Sequence, residues 1–204
     1  MEKLLALIAE ASDEEDVVLR FAGATWSGTS LELQLAVSVL DAVPGIWEVR
    51  CEHVLASLLC NEGARWLELL DDHPLLWEFK HESAQAFFYG VPDSADAAVG
   101  ALYEAHQNAV GSWIRFGQYL NTSLGISKLL AAGNGLLAEG PVQLLASYKN
   151  ALRPHGVEVD IRFAHPPRSW DGTHWRHLDR ENTKALLLGT SYVVGKGFAA
   201  RQKS

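Results

Sequence analysis

Apolar residues recur along this chain with two different periods, and the change of period marks its elements. Over residues 2–11, Leu4, Leu5, Ile8 and Ala11 share one helical face, which predicts a short amphipathic helix. The polar cluster Ser12 to Asp16 ends it. From Val17 the period falls to two: Val17, Leu19 and Phe21 form one alternating set, and Leu31, Leu33, Leu35 and Val37 form a second, opposed by Glu32, Gln34 and Ser38. A third segment, residues 46–55, sets Trp47, Val49, Cys51, His53 and Leu55 against Glu48, Arg50 and Glu52. Such alternation belongs to half-buried strands. With turns at residues 23–30 and 41–45, the three read as an antiparallel meander. Further strands are expected at 65–70, 75–80 and 84–89.

After Pro92 the pattern becomes helical. Asp93 or Ser94 caps a run in which Ala98, Val99, Leu102, Ala105, Ala109 and Val110 return every three or four residues. Helix and strand both remain open around residues 126–132. Gly140 and Pro141 start a second helix with Leu144, Leu145, Tyr148 and Leu152 as its buried stripe, and the segment from Pro154 to Gly156 stops it. A strand follows, with Val157, Val159, Ile161 and Phe163 inward and Glu158, Asp160 and Arg162 outward. The apolar run 186–194 reads as one strand because Thr190, Tyr192, Val193 and Val194 favour that state. The expected fold is α+β: an antiparallel β-meander in the N-terminal half packed with helices, then a C-terminal helix-strand unit and a further apolar strand. One domain over 1–204 is the simpler organisation; a β-rich half over 1–91 and a mixed α/β half over 92–204 is the alternative.

Composition adds limits. With 204 residues, 48% of them hydrophobic, the chain has material for a core without disulfides or metal. Two cysteines form no disulfide framework, the apolar stretch at the N-terminus is too short for a signal peptide, and no run is long enough for a membrane-spanning helix. A soluble cytoplasmic protein is expected. The net charge of −8 is uneven: residues 1–104 carry −14 and residues 105–204 carry +6. Such a split speaks to partners and mutual neutralisation.

Candidate chemistry concentrates between His165 and Thr183. His165, Asp171, His174 and His177 are side chains that bind zinc or another divalent metal, and His174 and His177 would share one face of a helical turn. The same segment interleaves Arg168, Trp170, Trp175, Arg176 and Arg180, a mixture suited to anchoring a protein interface or stacking on bases. Net negative charge counts against nucleic acid. Cys51 and His53, with Cys60 near, read as packed core; Asp71, Asp72 and His73 read as a solvated turn; His106 borders its helix's apolar face. Free amides near Gly133 and Gly140 offer an anion place, but no phosphate-loop or dinucleotide motif is present, and no serine or cysteine has a catalytic setting.

The expected function is a non-catalytic protein-binding module, without a cofactor, that meets a partner, a basic protein in the first instance, through an acidic face or the Trp/Arg segment 165–183. The alternative is a metal-dependent enzyme of the hydrolase type built on His165, Asp171, His174 and His177 with a divalent metal such as zinc. A homodimer through a sheet edge or the tryptophans stays open.

Overall fold

A computed structural model of the protein describes residues 1–12, 17–39, 45–170, 172–177 and 181–203. The N-terminal elements are α1 (Glu2–Ser12), β1 (Val17–Ser27), β2 (Ser30–Val39), β3 (Gly45–Glu52), β4 (Ala56–Leu58) and β5 (Leu67–Leu70). Then come α2 (Trp77–Lys80), β6 (Ser83–Tyr89), α3 (Ala95–Val110), α4 (Ile126–Ala131), β7 (Asn134–Pro141), α5 (Val142–Leu152), β8 (Glu158–His165), β9 (Arg168–Trp170) and β10 (Trp175–His177). The last are β11 (Lys184–Leu188), β12 (Ser191–Gly195) and β13 (Gly197–Gln202). The chain divides into two compact units, Met1–Leu76 with Arg180–Ser204, and Trp77–Asp179. Among the described residues no helix is long and apolar enough to cross a membrane.

The first unit is built from two antiparallel sheets, β1-β2-β3-β13 and β4-β12-β11-β5. They are joined at both margins. Leu19 and Ala64 exchange backbone hydrogen bonds of 2.7 and 2.9 Å, while Leu55 N–H donates to Val194 (2.8 Å) and Lys196 N–H to Glu52 (3.0 Å). The result is a barrel-like shell whose interior takes the alternate residues Leu31, Leu33 and Leu35, with Val49, Cys51, Leu186, Leu188 and Val193. Leu4 and Ile8 of α1 bury themselves in the same core, which is why the opening helix needs its apolar stripe.

The second unit is a three-stranded antiparallel sheet, β7-β6-β8, with α3, α4 and α5 associated with it. Ala84, Ala86 and Phe88 of β6 point into the helix-side core together with Leu102, Leu137, Leu144, Tyr148 and Val159. Ser94 caps α3 by accepting from the Ala97 N–H at 3.2 Å, as its sequence position predicts. His106 of that helix is fully buried rather than at the core's border. Its Nε2 donates to the Ile114 carbonyl (2.7 Å), which leaves Nδ1 to accept from the Tyr148 hydroxyl (2.8 Å).

The α+β class and the N-terminal meander are as the sequence predicts, and several elements differ. Residues 75–80 form a 3₁₀ turn and α2 instead of a strand, because Pro74 starts a helical turn whose Leu75 N–H donates to His73 Nδ1 (3.3 Å). β3 stops at Glu52, since His53 takes a left-handed φ of 49° and its side chain turns to solvent instead of joining Cys51. β1 continues through residues 23–27, expected as turn, and Gly28 with a φ of 60° makes the tight turn into β2. The run 186–194 is two strands folded back at Gly189, whose φ of 57° a side chain would resist and whose missing Cβ leaves room for Ala64. The short stretch before Pro141 is a full strand, β7, and residues 126–131 are helical.

The charge split seen along the chain dissolves in three dimensions. The first unit holds 9 basic and 15 acidic side chains and the second 8 and 10, because the basic C-terminal strands rejoin the acidic N-terminal ones. Glu48 lies under Arg201, and Lys203 Nζ stands 3.2 Å from it; Lys184 pairs with Asp71 at 3.2 Å. Burial pushes the Glu48 carboxyl up, but hydrogen bonds and charge from Lys203 and Arg201 outweigh it and hold the group below its ordinary value.

Candidate functional site

The segment expected as one polar loop contains a small hairpin. β9 and β10 pair with Trp175 opposite Trp170, Arg176 opposite Ser169 and His177 opposite Arg168. His174 sits in the turn and His177 in the second strand, so the helical turn that would have placed them on one face is not formed. Both are exposed. Asp171 and Arg180 lie outside the described residues. Among the described residues no three His, Cys, Asp or Glu side chains gather into a metal-holding group. Cys51 is buried in the barrel core, its thiol pushed up to about 12 by burial, which keeps it protonated at neutral pH.

His165 and Arg168 are brought together in a different setting. They line a cleft of about 510 Å³ in the second unit with Glu78, Ser83, Tyr119 and Glu139. The Tyr119 hydroxyl donates to Glu78 (3.4 Å), and Gln85 donates to Glu139 (3.1 Å). Burial and then the Glu78 charge push the Tyr119 hydroxyl up, so it serves as a hydrogen-bond donor and not as a phenolate. Its ring lies on Gly140, where a Cβ would fall 2.6 Å from Cδ1; the glycine is needed for that packing. His165 Nδ1 stands 3.0 Å from the Pro166 carbonyl and therefore carries the proton. The cleft offers carboxylates, a phenol and an imidazole, of which the sequence singled out only His165.

The second feature is the face of the β7-β6-β8 sheet opposite its helix-side core. Phe87 and Tyr89 of β6 point there, with Glu158, Asp160 and Arg162 of β8 in register beside them. Between Ser83–His165 and Gln85–Arg162 the register shifts, so Phe163 and Ala164 together oppose Ala84. At this bulge Phe163 takes a φ of 57°, which costs a non-glycine residue about 1–2 kcal/mol. The bulge turns Phe163 out of the inward alternation predicted for it, and its side chain is 70% exposed. There it meets Phe87 edge-on, centroids 6.1 Å apart at 81°, while the Arg162 guanidinium stands 6.0 Å from the Phe87 ring centre and 2.6 Å from Asp160.

Nothing in the sequence pattern marks this cluster, because strict alternation through Ile161 assigns Phe163 to the core. A comparison of the chain with family models, with curated proteins and with solved structures finds no match.

Proposed function

We propose that this protein is a non-catalytic binding protein that takes a protein partner on the outer face of the β7-β6-β8 sheet. The observation that carries the reading is Phe163: a large aromatic side chain, 70% exposed, on a left-handed backbone in a strand bulge. Stored backbone strain and a solvated aromatic ring both oppose stability, and residues of that kind cluster where a partner or ligand compensates for them. Phe163, Phe87 and Arg162 supply the aromatic and guanidinium groups that dominate binding energy at protein interfaces. Glu139, Glu158 and Asp160 around them outnumber Arg162, so a partner with a basic rim fits this face better than an acidic one.

The test is affinity capture from native lysate with wild-type chain and with Phe163→Ser, each at low and high salt. A protein captured by the wild type at low salt and lost with Phe163→Ser, while circular dichroism shows the variant folded, is the expected result. Identical captured sets for the two chains would overturn the reading.

A further inference from the structure

Among the described residues the β7-β6-β8 sheet has one open edge. The outer margin of β7 is taken by residues 119–121, through the Leu120–Ala138 bridge and hydrogen bonds from Asn121 N–H to Leu137 (2.8 Å) and from Glu139 N–H to Tyr119 (2.9 Å). β8 pairs with β6 on one side and, among the described residues, with no strand on the other. An open edge presents backbone donors and acceptors in the spacing that a second strand completes.

We propose that the occupant of this edge is a second copy of the chain, its β8 antiparallel to the first about a twofold axis at Ile161. Charge along the strand selects both the partner and the register. Glu158, Asp160 and Arg162 all lie on the outer face, and a twofold antiparallel pair sets outer residues opposite outer residues. An axis at Glu158 or Arg162 places that residue against itself, an axis at Val159 places Glu158 against Asp160, and an axis at Asp160 sets that residue against itself between two Glu158–Arg162 pairs. Each of these opposes like charges, which is unfavourable. The axis at Ile161 places Asp160 opposite Arg162 twice, with both side chains about half exposed and within reach: 50% and 49%. Regular pairing then centres on residues 160–162, bounded at each end by the bulge at Phe163, and the two sheets continue as one with both Phe163 clusters on the same side.

The edge of β8 is distinct from its face, and the dimer does not depend on the partner proposed for that face. The test is the solution mass of the full chain by light scattering over a concentration series, with circular dichroism as the control for folding. The wild type is expected at twice its 22.4 kDa. Asp160→Arg sets two arginines opposite each other at both positions and weakens dimerisation roughly 30-fold. Asp160→Arg with Arg162→Asp restores opposite charges and returns the dimer. A wild type that stays monomeric, an Asp160→Arg chain as dimeric as wild type, or a folded double variant that stays monomeric would each overturn the proposal. The two readings fail separately: a monomer whose partner capture still depends on Phe163 sinks the dimer alone, and a dimer indifferent to Phe163 in capture sinks the binding face alone.

Discussion

Phe163 and Phe88 are two aromatic residues of one sheet with opposite energetic roles, and substitution separates them. Phe88 is fully buried in the helix-side core, so Phe88→Ala removes packed surface and leaves a cavity, at a cost of about 3–5 kcal/mol. For Phe163→Gly, relief of about 1–2 kcal/mol of backbone strain is offset by the entropy of a glycine, about 0.5–1 kcal/mol, and by the lost Phe87 contact of similar size. Chemical unfolding should therefore show Phe163→Gly within about 1 kcal/mol of wild type and Phe88→Ala far below it. A second residue whose role sequence could not disclose is Glu48, an even-numbered outward position on β3 that is nonetheless only 6% exposed because Arg201 and Lys203 close over it. Its carboxyl is held below 4.5, so its stabilising contribution is present above that pH and is lost as pH falls through the lower, folded value. Glu48→Gln should lower stability at neutral pH, and the difference from wild type should shrink steadily below pH 4.5 in unfolding curves recorded across the acid range.

At the scale of elements, legibility followed the number of buried faces. β2 buries one face, and its Leu31, Leu33, Leu35 and Val37 alternate with less buried neighbours, so the period of two was visible. β11 is buried from Ala185 to Leu188 without interruption, which erases the period; with β12 it merged into one apolar run, and Gly189 was the only mark of the turn. α3 was legible because its stripe runs over sixteen residues and Ser94 caps it. The β9–β10 hairpin was hidden for another reason. Its two strands are three residues each and carry too few positions for alternation to register, so the segment looked like a loop rich in candidate ligands. Of those candidates, the structure places His165 and Arg168 on one cleft and His174 and His177 at exposed positions of the hairpin.

At the scale of the whole chain, the least legible property was which strands pair across distance. Period and turn chemistry report local structure, whereas β13 pairs with β3 and β11 with β5 after an intervening segment, Trp77–Asp179, that forms its own unit. This arrangement separates the folding capacity of the segments. Residues 77–179 hold a continuous chain with their own core from Ala84 to Val159, including the buried His106–Tyr148 pair, and every strand of their three-stranded sheet. Residues 1–76 lack β11, β12 and β13, so β3, β4 and β5 would each lose a neighbour, and the core would lose Leu186, Leu188 and Val193. Unpaired strand edges beside an incomplete core favour aggregation over folding. Residues 77–179 expressed alone should give dispersed amide resonances and a cooperative thermal transition, while residues 1–76 alone should give neither. A disordered 77–179 fragment would mean that its core, complete as it is in side chains, draws its stability from the rest of the chain; a folded 1–76 fragment would mean that α1 and the β1-β2-β3 meander suffice without the strands that close the barrel.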